Sequence, residues 1–227
     1  MAENSVPLTA RRLTTPRAAA LAGILFAVLL SASYVLMRLA IPADPLDVSV
    51  WLEENANSIS LALSLVPFAG IAFLWFMGVV RDRIGAFEDR FFSTVFFGSG
   101  LLFLAMTFVA AALAGGMLSS YAIAADRLIE SGVYTYSRAV MYRIMNVYAI
   151  RMAGVFMISL GTIWLRTRTM PLWLALLTYG AALVLLVTIS YMLWVTLVFP
   201  AWVGLISVAL LVWNYRRRLD QDPEPVS

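Results

Sequence analysis

Residues 170–215 read MPLWLALLTYGAALVLLVTISYMLWVTLVFPAWVGLISVALLVWNY, and none of these 46 residues is charged. A membrane-spanning helix needs about 20 consecutive apolar residues. The stretch is therefore long enough for two spans, and we place the turn between them around residues 189–199, with Pro200 opening the second span. Arg216, Arg217 and Arg218 follow directly and mark the end of that span. The pattern predicts a polytopic membrane protein.

The composition of the whole chain supports the same class. Hydrophobic residues make up 62% of the 227 positions and charged residues only 13%, whereas soluble domains are about half apolar and about a quarter charged. No polar stretch is long enough for a separate soluble domain. We therefore expect one all-α transmembrane helix bundle.

Four further apolar runs precede the charge-free stretch, and each is long enough to cross a bilayer. Pro67 lies near the middle of the second run, where a proline removes a backbone hydrogen bond and usually kinks the helix. With the two spans above, the chain has six predicted spans. We place the first four at residues 18–41, 58–80, 92–118 and 139–165.

The arginines set the expected orientation, since all 16 basic residues are Arg. Basic residues gather at 11–17, 81–90, 166–168 and 216–218, whereas the connection after span 1 carries only acidic charges. Positive residues favour the cytoplasmic side, so we expect six spans with both termini cytoplasmic in a bacterial inner membrane. Five spans would move Arg216–Arg218 outside, against that rule. The expected domains are a cytoplasmic tail at 1–17, the bundle at 18–216 and a cytoplasmic acidic tail at 217–227.

The absence of three residue types removes several kinds of chemistry. The sequence has no His, no Cys and no Lys, which excludes histidine-ligated haem, thiolate metal sites, Ser-His or Cys-His catalytic pairs and lysine Schiff bases. We expect no cofactor, no metal site and no catalysis of these kinds. The positive charge lies at span ends, where topology requires it, and so does not indicate nucleic acid as a partner.

Span 4 contains the least expected residues, in YRIMNVYAIRMAGVFMIS at 142–159. Arg151 lies close to the expected bilayer centre, where exposure to lipid costs about 2.5–3.5 kcal/mol on insertion scales. It should therefore point into the bundle. At about 100° per residue, Tyr136, Arg143, Asn146 and Arg151 fall within an arc of about 140°. Such a face is a candidate ligand site for an anionic lipid or an anionic solute, because guanidinium binds carboxylate and phosphate groups.

The alternative is that these arginines are satisfied within the protein. No Asp or Glu lies within any predicted span, so Arg151 would use backbone carbonyls, hydroxyl groups, Asn146 or water. Arg143 would reach Asp126 or Glu130 in the outer connection at 119–138. Both interpretations remain open from the sequence.

Other charged and small residues have structural interpretations. Glu88 and Asp89 precede span 3, where they cap the helix dipole and pair with Arg81 or its neighbours. Arg38, near the outer end of span 1, is expected to snorkel towards the membrane surface. In span 3, the small pairs Ala111/Gly115 and Ala112/Gly116 predict close helix approach. The sequence ADRLIESG predicts a short surface helix that ends at Gly132.

Two segments carry a resemblance, GAFEDRFFSTVFFGSGLLFLAM at 85–106 and YAIRMAGVFMIS at 148–159. Together they resemble sequences of uncharacterised multi-spanning proteins from bacterial genomes, over the middle third of the chain. The resemblance implies a multi-pass membrane protein and carries no activity or site residue with it.

These observations favour a non-catalytic integral inner-membrane protein that is accessory or lipid-interacting through the arginine-bearing face of span 4. The bilayer, with an anionic lipid or solute, is the expected partner. The alternative is a small transporter or channel for an anionic solute, with Arg151, Asn146 and Arg143 along its polar path. An intramembrane enzyme is the weakest interpretation, because the spans lack His, Cys, Lys and acidic residues.

Overall fold

A computed structural model describes residues 16–40, 55–84, 90–167, 171–188 and 194–219, and every element in these ranges is helical. The predicted all-helical class is confirmed. The six helices are α1 (Pro16–Ala40), α2 (Ala56–Ile84), α3 (Arg90–Glu130), α4 (Val133–Thr167), α5 (Leu172–Val187) and α6 (Val198–Leu219). A short 3₁₀ turn, Val195–Leu197, leads into α6. Most of both predicted tails, the connection at 41–54, and Glu88 and Asp89 lie outside the described residues.

Five of these helices, α1, α2, α3, α4 and α6, are long and apolar enough to cross a membrane. The remaining helix, α5, has 16 residues, which corresponds to about 24 Å at about 1.5 Å per residue. A typical hydrocarbon core is about 30 Å thick. The architecture is thus a bundle of apolar helices typical of a multi-pass membrane protein.

The helices pack as two groups of three. Helix α1 packs mainly against α2 and α6, whereas α4 packs mainly against α5 and α3. Helix α2 touches α3 much less than it touches α1. The two groups therefore meet along a seam between α1 and α2 on one side and α3 and α4 on the other.

An aromatic cluster fills the centre of the bundle and joins the two groups. The Phe73 ring of α2 lies 4.6 Å from the Phe26 ring of α1 and 5.4 Å from the Phe156 ring of α4. Phe103 of α3 and Phe199 of α6 are 4.6 Å apart, edge to face. These five rings are all at least 97% buried. Each such aromatic pair contributes about 0.5–1.5 kcal/mol beyond the burial of its apolar area.

Close helix approach occurs at glycines other than those expected from the sequence. A Cβ at Gly23 of α1 would overlap the Ser207 hydroxyl of α6, and one at Gly154 of α4 would lie 3.2 Å from the Ala182 carbonyl oxygen of α5. By contrast, a Cβ at Gly116 of α3 would meet no atom within 4 Å. In the described part of the chain, the small residues at 111–116 therefore do not bring two helices into close contact at Gly116.

Helix α3 continues well beyond the predicted end of span 3 at residue 118. The element has 41 residues, but the backbone at Ala124 is not helical (φ −157°, ψ 74°), so α3 consists of two helical segments that meet at a kink. The segment after Ala124 corresponds to the short helix that the sequence predicts there. Gly132 adopts the left-handed conformation (φ 70°) just before α4 begins, which a residue without a Cβ accommodates at little cost.

Candidate functional site

A cavity of about 110 Å³ lies at the seam between the two helix groups, where α1 ends and α2 begins. Helices α1, α2, α3 and α4 contribute most of its wall, and Thr196 of the 3₁₀ turn completes it. The aromatic cluster lies in the neighbouring part of the bundle, farther from the end of α1 and from the beginning of α2. The apolar part of the wall consists of Met37, Leu63, Val66, Ala110, Ala111, Ala114, Met141 and Met145.

Helix α1 supplies three polar residues to this wall, Ser33, Tyr34 and Arg38. Tyr34 and Arg38 are four residues apart and so lie on one helix face, and Ser33 precedes Tyr34 directly. The Ser33 hydroxyl donates to the Ala62 carbonyl of α2 (2.8 Å) and so fixes α1 against α2. Arg38 is half-buried, and among the described residues its guanidinium makes no hydrogen bond or ion pair. A permanent positive charge thus lines the cavity.

The Tyr34 hydroxyl is buried beside Thr107 of α3. Thr107 donates its own proton to the Phe103 carbonyl (2.9 Å). Within the described ranges the Tyr34 oxygen has no hydrogen-bond partner of acceptable geometry. A buried hydroxyl without a partner costs about 1–3 kcal/mol, so Tyr34 is an unsatisfied polar group in this part of the bundle.

Helix α4 reaches the cavity through a π-helical segment, Ile144–Ala149. In this segment a backbone N–H bonds to the carbonyl five residues back, as Ile150 does to Met145, instead of four back. Asn146 lies inside the segment, is only 7% exposed and lines the cavity. Segments of this kind occur mainly as single-turn bulges and frequently at functional sites.

Two polar side chains donate to backbone carbonyls around the π segment. Asn146 Nδ2 donates to the Tyr142 carbonyl (3.1 Å), and the Arg151 guanidinium donates to the Val147 carbonyl (2.8 Å). Because the Tyr142 carbonyl can only accept a hydrogen bond, the Asn146 side-chain atom that faces it is the amide nitrogen. The side-chain oxygen of Asn146 accepts no hydrogen bond from the described residues. Asn146 therefore both supports the irregular backbone and presents polar atoms to the cavity.

The structure does not gather the predicted face of span 4 at one site. Asn146 lines the cavity, whereas Arg151 is half-buried and bonded to its own helix. Tyr136 is 73% exposed, and Arg143 is also exposed. Of the four predicted ligand residues, only Asn146 belongs to the cavity.

The predicted charge pairs have different surroundings. Asp126 and Glu130 are exposed, and in the described segments neither forms an ion pair with Arg143. The Arg81 guanidinium lies over the Phe97 ring, 5.3 Å from its centre. Its proposed partners Glu88 and Asp89 lie outside the described residues. Among the side chains that the structure describes, no group of His, Cys, Asp and Glu could hold a metal ion.

Arg138 forms a second polar cluster next to the cavity. It is 6% exposed, donates to the Tyr134 hydroxyl (3.3 Å) and lies over the Tyr142 ring, 5.6 Å from its centre. Tyr142 in turn lines the cavity. This cation is therefore held by aromatic side chains, which compensate part of its lost hydration.

Reasoning from the sequence missed Arg38, Tyr34 and Thr107 as site residues. The expectation for Arg38 was a side chain that snorkels to the membrane surface. The four-residue spacing of Tyr34 and Arg38 in span 1 was a visible signal that these two polar side chains share a helix face.

Comparisons of the chain with models of known protein families, with curated proteins and with solved structures found no match.

Proposed function

We propose that this chain is a six-span inner-membrane protein, with both termini cytoplasmic, that binds an anionic amphiphile in the cavity lined by Arg38. The observation that carries the proposal is the guanidinium of Arg38, which is half-buried without a partner among the described residues at the wall of a cavity. The role is binding, without catalysis.

Electrostatics favour an anion at this position. A partly buried charge without a partner is costly, and an opposite charge held by hydrogen bonds recovers much of that cost. The described wall contains no carboxylate that could do so. Intramembrane charged residues usually serve a function, and guanidinium binds carboxylate or phosphate oxygens through two parallel N–H groups.

The rest of the wall favours an amphiphile over a small hydrophilic ion. Most of it is apolar, with alanine and methionine side chains beside the polar residues Tyr34, Thr107 and Asn146. A ligand with a charged end and an apolar end would match both parts. Such a molecule is available from the bilayer itself.

The aromatic cluster favours binding over conduction. Phe26, Phe73 and Phe156 are fully packed just beyond the cavity along α1, α2 and α4. These rings belong to one continuous cluster of buried apolar residues. A channel or transporter for a hydrophilic anion would require a wet path there, so the anionic-solute alternative receives less support.

The test is native mass spectrometry of the protein extracted gently from membranes. We expect the wild type to retain a negatively charged amphiphile and Arg38→Ala to lose about 90% or more of it, because a charge-assisted hydrogen bond contributes about 1.5–3 kcal/mol. Arg143→Ala is the matched control, since Arg143 is exposed and its loss should leave retention unchanged. Asn146→Leu provides a second disruption of the same cavity.

Equal retention by wild type, Arg38→Ala and Asn146→Leu would overturn the proposal. The acidic residues Asp44 and Asp47 follow α1 in the sequence and offer an internal alternative. If Arg38 pairs with them, Asp44→Asn/Asp47→Asn should lower thermal stability as much as Arg38→Ala does, with no amphiphile retained by any variant. That result would also reject the proposal.

A further inference from the structure

The cavity places two limits on its ligand, and these go beyond the presence of an anion. One limit is the number of charges that the wall compensates. The other is the width of the apolar space. This inference rests on the function proposed above and specifies the class of ligand.

The first limit is charge. Among the described lining residues, Arg38 is the only charged side chain, and the other polar groups are the neutral side chains of Ser33, Tyr34, Thr107, Tyr142, Asn146 and Thr196. Arg138 lies next to the site but already contacts Tyr134 and Tyr142. One guanidinium compensates one negative charge. A dianion, such as a phosphate monoester, would bring a second charge without a counter-ion into a largely apolar site.

The second limit is space. Ala110, Ala111 and Ala114 of α3 form one side of the wall over consecutive turns, and their small side chains leave the room between α3 and α2. The volume is about 110 Å³. An engineered cavity of about 150 Å³ in another protein accepts one benzene molecule. The space here is therefore sufficient for part of one polymethylene chain and leaves no room for a second chain beside it.

The methionines make the apolar wall adaptable. Met37, Met141 and Met145 line the cavity from α1 and α4, and unbranched thioether side chains adjust readily to the shape of a flexible ligand. This suits an acyl chain with many rotatable bonds better than a rigid ring. Asn146 adds a neutral amide, whose second N–H can donate to an oxygen at the charged end.

We propose that the ligand is a single-chain amphiphile with one negative charge, whose charged group binds Arg38 while its chain lies along Ala110, Ala111 and Ala114. Two sources share this chemistry, a long-chain fatty acid with a carboxylate and a lysolipid with a phosphodiester. Both have one charge and one chain.

The test compares defined lipids with the purified full-length protein, delipidated in a zwitterionic detergent and titrated under native mass spectrometry. Oleate and lysophosphatidylglycerol are the two single-chain monoanions. Dioleoylphosphatidylglycerol keeps the charge and adds a chain, monoolein keeps one chain and removes the charge, and lysophosphatidate adds charge. We expect one or both single-chain monoanions to bind about tenfold or more tightly than each of the other three, and the better of the two identifies the source.

A pair of neighbouring residues provides matched variants. Ala111 lines the cavity and is half-buried, whereas Ala112 is exposed and lies outside it. Ala111→Leu should fill the space and weaken oleate or lysophosphatidylglycerol binding about tenfold or more, while Ala112→Leu leaves it unchanged. Thermal unfolding without ligand checks that both variants fold. Should Ala111→Leu fail to fold, Ala111→Val makes the same test with a smaller side chain.

The outcomes separate this inference from the function on which it rests. Binding of dioleoylphosphatidylglycerol or lysophosphatidate as tight as that of the single-chain monoanions, and lost in Arg38→Ala, would reject the single-chain monoanion while the anionic site stands. Binding that is equal in wild type and Arg38→Ala for all five lipids would reject both. Equal effects of Ala111→Leu and Ala112→Leu would reject the placement of the chain along α3.

Discussion

The arginines of this chain have the same charge and different surroundings. Arg151 donates to the Val147 carbonyl of its own helix, Arg81 lies over the Phe97 ring, and Arg138 contacts Tyr134 and Tyr142. For the buried Arg138 and the half-buried Arg151, these contacts compensate part of the hydration that the cation has lost, whereas Arg81 is exposed. Arg38 makes no comparable contact with the described residues. Partial burial without a partner among the described residues therefore separates Arg38 from these arginines and from the exposed Arg143.

A substitution at Arg151 tests this division at the residue scale. Arg151→Met keeps the apolar stem and removes the donor to Val147, so we expect the protein to lose about 1 kcal/mol of stability. For a chain of this size that corresponds to a fall of about 2–4 °C in the unfolding midpoint. Thermal unfolding in detergent measures the stability, and native mass spectrometry should show unchanged amphiphile retention.

Arg143→Met is the control for this prediction, because Arg143 is exposed on the same helix. It should change neither the midpoint nor the retention. Loss of retention in Arg151→Met with an unchanged midpoint would instead place Arg151 at the ligand, as the sequence-based hypothesis for span 4 had it.

At the scale of the helix, the π segment explains why the polar face of span 4 divides. The polar face expected from the sequence assumes about 100° per residue throughout span 4. Between Ile144 and Ala149, however, hydrogen bonds to the fifth residue back widen the helical turn. The residues after the π segment therefore point in different directions, relative to those before it, from the directions that a regular α-helix would give. Tyr136 and Arg143 are exposed, while Asn146 is buried at the cavity.

Shortening the segment by one residue tests its role. A π-turn contains one more residue than an α-turn, so deletion of the exposed Tyr148 should restore a regular α-helix and keep both flanks in register. We expect folded protein of unchanged or higher stability, with amphiphile retention lost because Asn146 moves away from the cavity. Expression yield, thermal unfolding and native mass spectrometry measure the three properties.

Deletion of Val155, in the regular part of α4, is the comparison. It should rotate everything that follows by about 100°, turn the buried Phe156 and Leu160 out of the core and prevent folding. If both deletions abolish folding, the π segment is not a single inserted residue. If Tyr148 can be deleted with retention unchanged, Asn146 is not needed at the cavity.

The extents of the first two helices followed largely from hydropathy, because the requirement for apolar side chains in lipid is local and strong. Span 1 was expected at 18–41 and α1 covers Pro16–Ala40, and span 2 was expected at 58–80 where α2 covers Ala56–Ile84. Helix α2 is continuous through Pro67.

The cavity was not predictable in this way. It depends on which faces of α1, α2, α3 and α4 meet, and on a π segment whose hydrogen bonds have no marker in the order of the residues.

At the scale of the whole molecule, the two groups of helices differ in how they are joined. The aromatic cluster links them on one side of the cavity, and Trp202 of α6 reaches across to α5, where its indole N–H donates to the Thr178 hydroxyl (2.9 Å). At the cavity, alanine and methionine side chains form much of the apolar wall. The bundle is therefore closely packed around the rings and leaves open space at the proposed ligand site.

The proposed six-span topology depends on α5, which is the shortest of the six helices. Its length of about 24 Å falls short of a hydrocarbon core of about 30 Å, a mismatch that local thinning of the bilayer or packing against longer helices accommodates at modest cost. Gly154 and Gly161 of α4 lie against α5, and the Thr162 and Tyr179 hydroxyls are 2.7 Å apart. This packing against α4, which is long enough to span, supports a spanning position for α5.

Single cysteines test the topology, since the chain has none of its own. We expect Ser131→Cys, in the exposed connection between α3 and α4, and Ser190→Cys, between α5 and α6, to react with a membrane-impermeant thiol reagent added to the outer face. Ser5→Cys and Ser227→Cys, in the two tails, should react only after permeabilisation, because both tails adjoin arginine-rich segments that favour the cytoplasm.

The Ser131→Cys variant is the positive control for access. Reaction of Ser227→Cys from outside, with Ser5→Cys still protected, would mean that the chain crosses the membrane an odd number of times. The arginines at 216–218 would then lie on the outer face, and α5 would not be a span.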